Sequence, residues 1–81
     1  MNRQKLFNKK LEILKDNIID YLCSKKDKNP INIVYFSDMF ECSRGFVDKA
    51  LYELITENRL DDYDVVDTGG LLFLKKIDKY D

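Results

Sequence analysis

The residues that could do chemistry in this chain are few. There is no histidine to act as a general base, and no serine or cysteine stands beside an activating partner, so a nucleophilic or acid–base site is not expected. The densest acidic group is Asp61, Asp62, Asp64 and Asp67. It lacks the alternating oxygen ligands, central glycine and terminal glutamate of a calcium loop. Cys23 and Cys42 do not form the close-spaced pair of a zinc site. The sequence therefore predicts no enzyme, no metal and no cofactor, and no small-molecule ligand is evident. Both cysteines read as small buried apolar residues in a reducing compartment. What remains is a polar set at 43–53. Ser43 offers a hydroxyl, Lys49 a point charge, and Arg44 a planar fork that fits a guanine edge or a phosphate bidentately. Asp48 and Glu53 lie on nearby faces, where they would repel phosphates or simply pair with Arg44 and Lys49 in solvent.

Those residues need elements to hold them. Ile33, Phe36 and Phe40 share one face of a short helix over about 33–40. Val47, Ala50, Leu51, Leu54 and Ile55 do the same over about 44–57. Asn32 and Ser43 are placed to cap these two helices, and Asn58 follows the second where a left-handed residue is often needed. A longer helix is expected over about 4–26, with Phe7, Leu11, Leu14, Ile18, Tyr21 and Leu22 as its core stripe. Leu6, Ile13 and Ile19 widen that stripe, and either cover the wing strand or sit singly exposed, or else form a homodimer seam. Lys5, Lys9, Lys10 and Lys15, with Glu12 and Asp16, read as a mixed solvated face. Pro30 stops the polar loop after this helix, and Ile31 can begin a short strand. Beyond Leu60, β-rich runs at 63–67 and 71–77 flank Thr68-Gly69-Gly70, a hairpin signal, and give a β-hairpin over about 62–77.

Short helix, tight turn and longer helix make a helix-turn-helix. The stretch from Pro30 to Leu60 resembles the core of the winged helix-turn-helix family of small bacterial, archaeal and phage regulators. The residues that carry the likeness are Phe36-Ser37, Phe40, Cys42, Ser43-Arg44-Gly45, Val47, Ala50-Leu51 and Leu54. Glu41 departs from the pattern at the turn, where the family often has glycine. The resemblance implies a mainly α protein with a small β-hairpin, an α+β winged helix-turn-helix of three helices plus a wing, filling residues 1–81 as one domain. It also implies a third helix that reads the major groove of double-stranded DNA through Ser43, Arg44, Phe46, Lys49 and Tyr52, as a regulator of transcription or a phage or plasmid factor would. Phe46 has three options: a thymine methyl group, a partner subunit, or its own core. The tip at Asp67-Thr68-Gly69-Gly70 carries no cation, so the wing is expected to be mainly structural, with Lys75, Lys76 and Lys79 farther along.

Charge is uneven along the chain. Residues 1–30 hold eight Lys/Arg against four Asp/Glu (+4), and residues 31–81 hold six against eleven (−5), so the basic footprint expected of a DNA binder appears only in the first third. Arg44 and Lys49 would then act with some of Lys5, Lys9, Lys10, Lys25 and Lys26. Few contacts per copy favour a homodimer, with the seam at Leu6, Ile13 and Ile19. The alternative is a winged helix that binds protein partners and no DNA, which the low net charge, Phe46 and Tyr52 favour. No signal peptide or membrane span is read, so a cytoplasmic or nucleoid-associated protein is expected.

Overall fold

The computed structural model describes residues 3–27 and 29–77. Lys79 lies outside them. The elements run α1 (Arg3–Ser24), β1 (Ile31–Asn32), α2 (Val34–Met39), α3 (Arg44–Thr56), β2 (Tyr63–Thr68) and β3 (Leu71–Lys76). The protein is thus α+β: three helices and one antiparallel sheet of strand order β1-β3-β2.

The helix ends follow their local chemistry. The Ser43 hydroxyl accepts the Phe46 N–H at 3.2 Å, satisfying one orphan donor of α3. Asn32 accepts the Val34 N–H at 3.0 Å, so it serves α2 from one position before the capping residue, Ile33, which has no capping bond of its own. α1 stops two residues earlier than the pattern suggests. Ser24 turns its hydroxyl back to the Asp20 and Tyr21 carbonyls, and the Lys25 ammonium binds Asp27 and the Asn29 carbonyl, which closes the loop toward Pro30. Glu41 in the α2–α3 turn has φ 52° and Asn58 after α3 has φ 57°, so both take the left-handed conformation that ends a helix.

The hairpin register pairs Val65 with Leu74, Val66 with Phe73 and Thr68 with Leu71. Gly69 and Gly70, at φ 61° and 84°, form the two-residue turn that positive φ permits. β1 meets the other edge of β3 through Ile31–Leu74 and Asn32–Phe73. The alternation of side chains then turns Leu74 inward, onto a core of Leu11, Leu14, Ile18 and Leu22 from α1, Phe36 from α2, Val47, Ala50, Leu51 and Leu54 from α3, with Ile31, Ile33 and Leu60.

Three expectations are corrected. Cys23 is exposed and Cys42 only half-buried. Phe7 lies at the edge of the stripe and stays partly exposed. Lys15 does not sit on a solvated face: its side chain is 0% exposed, in the stripe between Leu11 and Ile18.

Candidate nucleic-acid interface

α1 and α3 lie side by side and run in the same direction. Phe7 meets Phe46 edge to face with ring centroids 5.3 Å apart, in the first turns of the two helices. Farther along, Lys15 reaches Glu53 and Glu57, and Arg59 reaches Asp16 at 3.1 Å. The N-termini of both helices therefore share one end of the molecule. Residues 3–11 carry Arg3, Lys5, Lys9 and Lys10 with no acidic residue. Lys10 lies beside Glu41, Cys42 and Phe46, at the turn that leads into α3. Lys25 instead sits past the far end of α1, bound into its loop. Sequence reading omitted Arg3 because it set the helix start one residue later.

The other end is acidic and internally compensated. The Lys15 ammonium has three N–H groups and gives one each to Glu57 at 2.8 Å, Glu12 at 3.2 Å and Glu53 at 3.2 Å. Burial alone would lower its pKa. The bonds to Glu57, Glu12 and Glu53 outweigh that and hold the amine well above its usual value, so it is charged at any physiological pH. Glu57 is correspondingly held below the usual carboxylate range, first by Lys15 and less by Arg59. Arg59 is raised by its bond to Asp16. Glu12, Glu53 and Glu57 bring their oxygens within 4.8 Å of one another, but Lys15 already supplies the cation among them. Burial raises the Cys42 thiol, which keeps it a weak nucleophile.

The solvent face of α3 carries Arg44, Asp48, Tyr52 and Ile55, at helical spacing. Of the five residues predicted for groove reading, Arg44 and Tyr52 stand on this face, and Tyr52 is 69% exposed. Arg44 has no ion pair among the described residues, although Asp48 lines the same groove. Lys49 lies on the flank, 3.5 Å from Glu53, so the solvent-pairing alternative holds for Lys49. Ser43 is exposed, with its oxygen engaged as the cap. Phe46 takes the third of its options and folds back onto Phe7 and the core. The predicted seam residues do not share a face. Ile13 lies toward Phe40 and Phe46, whereas Ile19 packs by Leu60 and Tyr63 on the opposite flank of α1. No described helix is long and apolar enough to cross a membrane. In comparisons with known proteins, no family model matched the chain, and neither did any curated protein or solved structure.

Proposed function

We propose that the chain is a winged helix-turn-helix protein that binds double-stranded DNA with the shared N-terminal end of α1 and α3, as a regulator of transcription or a mobile-element factor does. The observation that carries this is the Phe7–Phe46 contact, which sets the acid-free basic turns of α1 beside the start of α3. Two helix N-termini add their partial positive charge at the same end. Arg44, without an ion pair among the described residues, is the cation on the groove-facing side, and Lys10, beside the turn that leads into α3, and Arg3, at the start of α1, are backbone contacts. The element order, with β1 between α1 and α2 and a hairpin at the end, is the order that the family resemblance implies. The acidic far end stays away from DNA.

A second reading has its own observation. Leu71 and Leu72 are exposed at the hairpin tip, in a groove with Ile33, Val34, Arg44, Val47 and Asp48, a mixture suited to a protein partner. Selection of bound duplexes from a random library at low salt, with Arg44→Ala as control, decides between them. Enrichment of one sequence by the parent protein, lost in the variant, supports DNA recognition. No enrichment, with any retention removed by modest salt, leaves the protein-partner reading.

A further inference from the structure

The solvent side of α1, which at Ile13 borders the groove toward Phe40 and Phe46, has a pattern that the core does not explain. Leu6, Lys9, Ile13 and Asp20 fall within about 60° of one another at 100° per residue, a single stripe on the helix. Leu6 is 44% and Ile13 51% exposed, seven residues apart, which is the spacing of a helix–helix seam. Lys9 and Asp20 have no ion-pair partner among the described residues, while Asp16 beside them is taken by Arg59. The stripe is basic toward the N-terminus and acidic toward the C-terminus, with Ile13 between. Such a stripe is complementary to itself only when a second copy runs the opposite way.

We infer that two copies pair through antiparallel α1 helices, with the two-fold axis at the level between Leu14 and Lys15, which sets Lys9 of each copy opposite Asp20 of the other. This rests on the DNA-binding reading for its purpose but not for its geometry. Near the axis the two Ile13 side chains lie about 4.5 Å apart along the helices and pack past one another. A parallel pair would instead set Lys9 against Lys9 and Asp20 against Asp20, which repel. An isologous contact of this kind closes at two copies.

The pairing also completes the candidate site. Phe7, which marks the α3 end, is seven and a half residues from the axis, so the two α3 starts lie about 22 Å apart along the paired helices. α3 lies on the other side of α1 from the seam, which adds roughly 25 Å across it at ordinary helix spacings. The two α3 starts are then about 33 Å apart, close to the one-turn separation of paired half-sites on DNA. One copy offers few cations; two double the phosphate contacts and make the second engagement intramolecular.

Sedimentation equilibrium of the full chain without DNA, over a wide concentration range, tests the pairing. Ile13→Glu is expected to give a monomer with an unchanged circular dichroism spectrum, because the side chain is exposed. Lys9→Glu and Asp20→Lys should each weaken the dimer about tenfold, since each change acts twice across the axis. Together they should restore it. A monomeric parent at every concentration overturns the pairing, even if Arg44-dependent DNA binding persists. A dimer indifferent to Ile13→Glu, or charge reversals that fail to compensate, overturns it as well. A dimer that obeys all three substitutions but binds no DNA supports the pairing and removes the DNA reading alone.

Discussion

The Lys15 ammonium donates to Glu57 at 2.8 Å from a position with no exposure to solvent. It is the one charged group inside the apolar stripe of α1, and its bonds to Glu53 and Glu57 tie α1 to the end of α3. Lys15→Met keeps the stem's packing and removes the ammonium, leaving three carboxylates close together. Glu12 and Glu57 still reach water, so the cost stays below that of a fully buried unpaired charge. We expect a loss of about 1.5–3 kcal/mol, the range for hydrogen bonds to charged groups. Urea unfolding measures it, and an unchanged midpoint would show that the ammonium contributes nothing net.

The same contact sets a pH dependence. Glu57 is depressed in the folded state, so its contribution is present above the unfolded carboxylate value of about 4.3 and is lost as pH falls through the folded one. Lys15 is raised, so its contribution is complete below about 10.4, the unfolded value, and lost only at higher pH. Stability should therefore be flat between these limits as far as this pair is concerned, and fall in acid. Glu57→Gln should flatten the acid limb. An acid limb identical in parent and variant would assign it to other carboxylates, with Asp27, held low by Lys25, the next to test.

How much of this was legible in the sequence depends on how far apart the cause and the effect lie. The boundaries of α3 were readable because Ser43, the apolar spacing and Asn58 are all local to it. The hairpin was readable from Gly69-Gly70, although its register needed β3 to be placed against β1. Lys15 was not readable. Its phase, four after Leu11 and three before Ile18, already put it in the core stripe, but the carboxylates that allow a buried amine there are 38 and 42 residues away. Ile19 was separable from Ile13 in the sequence itself: six residues at 100° each set it about 120° away around α1, where it packs by Leu60 and Tyr63.

Backbone conformation gives a paired prediction at two turns. Glu41 occupies the left-handed region at φ 52°, which costs a residue with a side chain roughly 1–2 kcal/mol. Glu41→Gly removes that strain but adds unfolded-chain entropy, so thermal melting should show a change between zero and about +1 kcal/mol. Gly70→Ala meets no atom within 4 Å, so its expected loss of about 1–2 kcal/mol is conformational alone. Destabilisation by Glu41→Gly would mean that the Glu41 side chain does more than tolerate its turn.

Leu51 is 3% exposed in the core shared by all three helices. Leu51→Ala should cost about 2–5 kcal/mol from lost transfer energy and the cavity left behind. That is a large share of the ~5–15 kcal/mol that holds a domain together. Tyr52→Ala, next in the chain but on the solvent face, should change stability by less than about 0.5 kcal/mol. Chemical denaturation of both variants checks the phase of α3; comparable losses would mean the helix is turned differently.

The contrast between Arg44 and Lys49 tests the DNA reading at residue level. Arg44 stands on the solvent face of α3 without an ion pair among the described residues, so nothing within the chain competes for its fork. If it reads a base, Arg44→Ala should weaken the preferred duplex by about 1–3 kcal/mol and relax one position. Lys49 must first leave Glu53, 3.5 Å away, to reach a phosphate, so its loss should be smaller and the same for every sequence. Glu53→Gln then separates two effects. It frees Lys49, so nonspecific binding should strengthen and the salt slope steepen by up to roughly 0.9, one phosphate's worth. It also takes one carboxylate from Lys15, so its stability must be measured beside its affinity. Titrations of matched and scrambled duplexes at two salt concentrations report both. Equal losses for Arg44→Ala on both duplexes would make Arg44 a phosphate contact, and no loss on either would move the interface off α3.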